Sequence, residues 1–185
     1  MLFTKTFLPG VIVFEPRIFP DERGFFFESY NQRLFNDNQI MNVFVQDNQS
    51  FSSYGVIRGL HYQREPHAQS KLVRVVLGKI LDVVVDIRSG SPTFGKSFGI
   101  ELSAENKKQL LIPRGFAHGF SVLSETAELA YKCDQFYNKQ SESGIRYNDP
   151  LLNIDWKIPP EKALISPKDA QLPEFNPSIV DFIYQ

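Results

Sequence analysis

Turn signals recur along this chain and punctuate a series of short β-rich runs, a pattern that fits many short strands better than long helices. The signals are Pro9-Gly10, Asp21-Glu22-Arg23-Gly24, Tyr54-Gly55, Ser89-Gly90-Ser91-Pro92 and Pro113-Arg114-Gly115. Glycine supplies backbone angles closed to other residues, and proline fixes its own, so each pair reverses or bends the chain. Among and after them lie the short β-rich runs Val43–Phe51, Leu72–Leu77, Ile80–Ile87, Ile100–Leu102, Leu110–Ile112 and Ala117–Leu123. Many short strands with this punctuation predict an all-β sandwich or closed barrel. Ile80–Ile87 is almost continuously apolar and predicts a central strand. Its two acids, Asp82 and Asp86, are four residues apart and therefore share a face, where each needs a partner. Helix is scarce: Asn31–Ile40 predicts one short helix capped by Asn31 with Leu34 and Phe35 inward, and Ser166–Ala170 predicts a single turn.

With 185 residues, of which 42% are hydrophobic and 17 are phenylalanine, the chain can bury one sizeable core, and we expect one domain over residues 1–185. After Pro150 the character changes. Trp156, Pro159-Pro160, Pro167, Pro173 and Pro177 predict an extended C-terminal tail, residues 150–185, packed on the barrel. The 20 basic and 21 acidic residues leave a net charge of −1, which argues against broad electrostatic binding to nucleic acid. Cys133 is the single cysteine, so no internal disulfide forms and a reducing compartment is expected. The N-terminal apolar stretch is broken by Pro9-Gly10 and reads as a first strand, and no run approaches the ~20 apolar residues of a membrane span. These points predict a soluble, cytoplasmic protein without a membrane partner.

Chemistry has few candidates. His61, His67 and His118 are the only histidines, and none sits in a closely spaced pair of the kind that ligates metal, so no metal site is expected. His61 reads either as a core histidine bonded to a backbone carbonyl or as a general base that titrates near neutral pH. Arg58 and Lys71 are either solvated strand ends or the positive charge that would stabilise an oxyanion. Tyr131 and Tyr137 are either barrel aromatics or a proton donor and a stacking platform for a base. The polar run Gln46-Asp47-Asn48 faces a wet pocket or marks a loop.

Taken in order, these segments resemble the dTDP-4-dehydrorhamnose 3,5-epimerase family. The matching text begins with Asp21-Glu22-Arg23-Gly24, Val45-Gln46-Asp47-Asn48, Gly55-Val56-Ile57-Arg58-Gly59-Leu60-His61-Tyr62-Gln63 and Lys71-Leu72-Val73-Arg74-Val75. It continues through Asp86–Gly95, Ile112–Phe120 and Tyr131-Lys132-Cys133, and closes with Asn148-Asp149-Pro150, Ile154-Asp155-Trp156 and Ser166-Pro167-Lys168-Asp169. Single motifs of this kind are weak; the ordered set, from about residue 10 to residue 170, is specific.

The resemblance implies an antiparallel jelly-roll barrel of the cupin type, no metal or organic cofactor, and a homodimer in which the segment of Arg23 and Glu28 reaches the partner's site. It implies an isomerase that inverts C3 and C5 of dTDP-4-dehydro-6-deoxy-D-glucose, or else a single-centre epimerase or ketoisomerase acting on a related nucleotide 4-keto-6-deoxy sugar. Carried over by position, His61 resembles the proton-abstracting base, Tyr131 the proton donor, Asp169 the carboxylate that orients the histidine, and Lys71 the cation beside the ketone. Arg23, Glu28, Gln46, Asp47, Asn48, Arg58, His118, Glu142 and Lys168 match positions that contact the nucleotide-sugar, and Tyr137 the aromatic that stacks on thymine. Tyr147 departs from the pattern, standing where the family has tryptophan, and Asn176–Gln185 lies outside the matching text. Arg58 and His61 are an odd number of residues apart, so a regular strand would point them to opposite faces; a bulge near Gly59 would bring both to one pocket.

Overall fold

A computed structural model describes the whole chain, Met1–Gln185. In chain order its elements are β1 (Leu2–Lys5), β2 (Ile12–Glu15), β3 (Phe19–Asp21), β4 (Gly24–Phe26), α1 (Gln32–Asp37), β5 (Gln46–Ser53), β6 (Val56–Gln63), β7 (Lys71–Leu77), β8 (Lys79–Asp86), β9 (Arg88–Ser89), β10 (Ser97–Ser103), β11 (Gln109–Ile112), β12 (Phe116–Val122), β13 (Thr126–Cys133), β14 (Glu142–Gly144), β15 (Leu164–Ile165), α2 (Pro167–Ala170) and β16 (Phe182–Ile183). The strands form two six-stranded sheets. The first runs β1-β2-β11-β7-β13-β5; the second runs β10-β8-β12-β6-β14, with β15 added beside β6. This is the all-β jelly roll expected from the sequence. The exceptions to antiparallel pairing come from the tail: β15 lies parallel to β6, and β16 parallel to β9.

Period-2 alternation sorts the side chains. Val73 and Val75 of β7, Ile80 and Val84 of β8, Phe116, Phe120 and Val122 of β12, and Ala127 and Leu129 of β13 meet in the main core between the sheets. Each such aliphatic or aromatic side chain contributes roughly 1.5–3 kcal/mol when fully buried. The residues between them face outward. Val83 and Val85 of β8 and Ala117 of β12 pack, with Ile57 of β6, against Leu152, Trp156 and Phe182 of the tail. Tyr147 joins this cluster at its edge, and its carbonyl accepts the Trp156 indole N–H at 2.7 Å. The outer face of the first sheet is covered by α1, whose Phe35 packs with Phe14, Leu72 and Leu111.

Several boundaries differ from expectation for identifiable reasons. The run Val43–Phe51 becomes a strand only from Gln46, because its partner β13 ends at Cys133, opposite Gln46. Helix α1 has the expected Asn31 cap, whose side chain accepts the Leu34 N–H at 3.3 Å, but it stops at Asp37; Gln39 turns to φ 63°, and Ile40 folds back under Phe35. The two acids of β8 are fully buried and partnered as their spacing demands. Asp86 accepts two hydrogen bonds from the Arg88 guanidinium, at 2.8 and 2.7 Å, and one each from Ser91 and Thr93, at 2.6 and 2.7 Å. Burial pushes its carboxyl up, and these donors more than reverse that, so it lies below the usual range. Asp82 pairs with His118.

Candidate active site

The cavity between the sheets is polar at one end because strand alternation places polar residues on the inner face there. The inner face of the second sheet carries Arg58 and His61 of β6 and, deeper and buried, His118 of β12. His118 stands opposite His61, Phe120 opposite Arg58, and the register shifts between the two pairs. Two residues of β6, Gly59 and Leu60, thus face the single Gly119, and this bulge brings Arg58 and His61 to the same face, as their odd spacing required. Glycine is obligatory at the bulge. Gly59 adopts φ 113°, and a Cβ there would stand 2.7 Å from both the Gly119 Cα and the His118 carbonyl oxygen. From the first sheet come Lys71 of β7, Tyr131 and Cys133 of β13, and Gln46 and Asn48 of β5, whose register partners are Cys133 and Tyr131.

His61 is held from behind. Asp169, in the first turn of α2, receives the His61 Nε2 at 2.8 Å through Oδ1 and the Gly59 N–H at 3.2 Å through Oδ2. The turn is fixed by Ser166, which accepts the Asp169 N–H at 3.0 Å, and by Pro167 at its first position. Burial pushes the Asp169 carboxyl up, but the His61 contact, the Gly59 N–H and Ser166 bring it below the ordinary carboxylate range. An anion there keeps the proton on Nε2 and leaves the Nδ1 lone pair free. Lys71 stands 5.9 Å from the centre of the Tyr131 ring. Burial pushes its ammonium down from the usual lysine range. Burial also pushes the Tyr131 phenol up, with Arg58 acting in the opposite sense, so the phenol holds its proton at neutral pH. Neither the Lys71 ammonium nor the Tyr131 hydroxyl makes a hydrogen bond within the chain.

A cavity of about 170 Å³ is lined by His61, Lys71, Tyr131, Gln46, Asn48, Tyr137 and Glu142. On the other side of His61 an open recess contains Arg58, Ser166, Lys168 and Asp169. At the rim, Glu142 accepts Lys168 Nζ at 2.6 Å and the Tyr137 hydroxyl at 3.1 Å. Tyr137 is otherwise exposed. Arg58 donates to Ser52 Oγ at 3.1 Å, reaching from one sheet to the other at the mouth.

Four sequence candidates line neither this cavity nor the recess within one chain: His118, buried against Asp82 at 3.0 Å, and Asp47, Arg23 and Glu28. Asp47 lies between Gln46 and Asn48, so its side chain must point to the opposite face. It pairs there with Lys132 at 2.9 Å and borders a separate hollow of about 250 Å³ that also contains Gln49 and Arg74. Arg23 sits on the exposed β3–β4 hairpin with only Asp21 as partner, at 2.6 Å, and Glu28 bonds Asn31 at 3.1 Å. Conversely, Gln63 is not among the sequence candidates, yet it supports the site. It lies on the same strand face as His61 and is buried. Its amide holds the loop that carries Tyr137, donating to the Phe136 carbonyl at 3.3 Å and accepting the Asn138 N–H at 2.6 Å. Counting two residues on from His61 would have found it. No group of three His, Cys, Asp or Glu side chains converges in a way that could hold a metal ion, and no helix is long and apolar enough to cross a membrane.

Comparison with known proteins adds an independent line. Residues 5–177 match the family model described as dTDP-4-dehydrorhamnose 3,5-epimerase. A dTDP-4-dehydrorhamnose 3,5-epimerase of Shigella flexneri is 57% identical over 166 residues, 89% of this chain and 91% of that one. The crystal structure of the Elizabethkingia anophelis dTDP-4-dehydrorhamnose 3,5-epimerase superposes with a TM-score of 0.91 at 55% identity, covering 95% of this chain and 96% of that one. The Legionella pneumophila dTDP-6-deoxy-D-glucose-3,5-epimerase, solved in complex with dTDP-4-keto-L-rhamnose, superposes with a TM-score of 0.88 at 47% identity, covering 95% and 98%.

Proposed function

This chain belongs to the dTDP-4-dehydrorhamnose 3,5-epimerase family, and from that premise we infer how its residues invert C3 and C5 of a dTDP-4-keto-6-deoxyhexose. The protein is a carbohydrate epimerase acting on a nucleotide sugar. A hydrogen on a carbon beside a ketone is weakly acidic, and its removal spreads negative charge onto the ketone oxygen. The reaction therefore needs a base, a fixed positive group at that oxygen, and an acid on the opposite face of the ring. His61, oriented by Asp169, is the base; Lys71 meets the oxygen; Tyr131 returns the proton. The observation that carries this assignment is that His61 and Tyr131 line one cavity from opposite sheets, with Lys71 in the same lining. A ring bound there has the base on one face and the acid on the other, which is the geometry of inversion. Both C3 and C5 flank the C4 ketone, so one pair serves both centres when the ring is repositioned. Tyr137 offers the base a stacking surface, Glu142 and Lys168 sit beside it, and Arg58 supplies positive charge for the diphosphate.

The direct test is incubation with dTDP-4-keto-6-deoxyglucose in D2O. Deuterium is expected at both C3 and C5, with net inversion of both by NMR. Label at one carbon only would select the single-centre alternative, and no label at either would refute the reading.

The site is proposed to be completed by a second copy of the chain. Hairpin β3–β4 pairs with no other strand, and it exposes Phe19, Phe25 and Phe26 around Arg23. Three open phenylalanines on a two-stranded ribbon want a covering surface, and a partner subunit whose site receives Arg23 would supply it. Light scattering should give twice the monomer mass. A monomer that remains fully active at the same concentration would rule out the shared site.

A further inference from the structure

The connection between β13 and β14, residues 134–141, carries Tyr137 and belongs to no strand or helix. A loop of this kind ordinarily leaves its backbone groups to water. Here glutamine side chains take up a group from each of four successive residues. Gln69 donates to the Gln135 carbonyl at 2.7 Å, and Gln46 accepts the Tyr137 N–H at 3.0 Å. Gln63 donates to the Phe136 carbonyl at 3.3 Å and accepts the Asn138 N–H at 2.6 Å. The three come from different places: Gln46 from β5 of the first sheet, Gln63 from β6 of the second, and Gln69 from the connection between β6 and β7. All three line the cavity of His61 and Tyr131. The loop is thus tied to both sheets through the wall of the site.

Gln63 is the centre of this clasp. It is buried, and a long polar side chain is costly to order and desolvate unless its polar atoms are used. Both are: Oε1 takes the Asn138 N–H, while Nε2 donates to the Phe136 carbonyl and to the His67 carbonyl, the latter at 2.6 Å. A carboxamide supplies an acceptor and two donors from one end, which a carboxylate does not. The far end of the loop is held as well. His67 Nδ1 contacts Ser141 Oγ at 2.9 Å, and the Arg64 N–H donates to the Ser141 carbonyl at 2.8 Å. What the clasp holds is an open ring. Tyr137 is 55% exposed, and its side chain makes its one hydrogen bond to Glu142, at 3.1 Å. So open a ring keeps its place mainly through its backbone. A surface fixed before the ligand arrives spares the complex the entropy of ordering it.

We propose that Gln63 is a positioning residue for the nucleotide: with Gln46 and Gln69 it fixes the backbone of residues 135–138 and so presents the Tyr137 ring, already placed, to the base of the substrate. It acts on loading of the nucleotide and not on proton transfer. This rests on the reading of Tyr137 as the stacking surface.

The test is Gln63→Glu, which keeps the length and the acceptor for Asn138 but sets a carboxylate against two carbonyls. Calorimetric affinity for dTDP should fall roughly 10-fold, within the range that stacking one base on an aromatic ring contributes. KM for the keto-sugar nucleotide should rise with it while kcat stays within about threefold, the pattern of lost binding that ground and transition states share. Tyr137→Ala should weaken dTDP by as much or more. Adding Gln63→Glu to Tyr137→Ala should then cost less than about twofold further, because the ring it positions is gone. Repulsion between the new carboxylate and the diphosphate, or general damage to the cavity, would persist in the double variant. A fully additive loss therefore overturns the proposal, as does wild-type dTDP affinity in Gln63→Glu or a loss confined to kcat. Should Gln63→Glu fail to fold by circular dichroism, Gln63→Met, neutral and of similar length, is read in the same way. If Tyr137→Ala binds dTDP as wild type does, the stacking role of Tyr137 falls and this proposal with it, whereas a weakened Tyr137→Ala beside an unaffected Gln63→Glu removes Gln63 alone.

Discussion

Replacing His61 by alanine is expected to abolish both inversion and deuterium uptake at C3 and C5. The reaction begins with loss of a proton, and His61 is the only imidazole in the cavity with a nitrogen free to take it: its Nε2 is committed to Asp169, which leaves Nδ1 for the substrate. His118 has its Nε2 fixed by Asp82 and does not line this cavity. The loss should be roughly 10²- to 10⁴-fold, the usual contribution of a positioned base, or about 3–5 kcal/mol of transition-state stabilisation. The fold should persist, because His61 is partly exposed and Asp169 keeps the Gly59 N–H and its place in the turn. Circular dichroism and dTDP binding check this, and NMR of the sugar in D2O reads the chemistry. Deuterium entering either carbon at an undiminished rate would show that another group starts the reaction.

How much of this was open to reading in the sequence depends on the distance over which each feature is determined. Strand existence is local, and the β-branched runs between turn signals placed β7, β8, β11 and β12 within a residue or two. Strand ends are not local: β5 begins where β13 ceases to offer a partner, which no property of Val43–Phe51 could reveal. The same limit applies to Asp47. Its motif places it with Gln46 and Asn48, yet alternation along the strand turns it to the opposite face, towards Lys132. That conflict is present in the spacing of three consecutive residues, and reading the motif as a unit hides it. Arg58 and His61 are the opposite case. Their odd spacing conflicted with one shared pocket, and the bulge at Gly59 is where the backbone resolves it. The His61–Asp169 contact joins residues 108 apart in sequence. Composition and spacing held no sign of it; the family resemblance supplied it, and the capped turn Ser166–Ala170 explains how the chain presents the carboxylate.

Tyr131→Phe should separate the two halves of the reaction. The substitution removes one hydroxyl and leaves the ring, which packs against the main core and beside Lys71. That hydroxyl makes no hydrogen bond within the chain, so no buried donor or acceptor is orphaned, and the melting temperature should stay close to wild type. Burial holds the phenol above its ordinary range, which suits an acid that must keep its proton until an enolate forms beside it. An enolate is basic enough to take that proton. Without it, the intermediate can be reprotonated only by His61, from the face it left. Net inversion should therefore fall roughly 10²- to 10⁴-fold, while solvent deuterium continues to enter with the original configuration. The paired readout distinguishes a lost acid from a damaged site, which would lose exchange and inversion together. If Tyr131→Phe inverts both centres at the wild-type rate, the proton comes from elsewhere. Of the other two phenols on the cavity wall, Tyr62 donates to Asp181 at 2.7 Å, so Tyr137 is the next candidate, and its role as the stacking surface for the base would have to be given up.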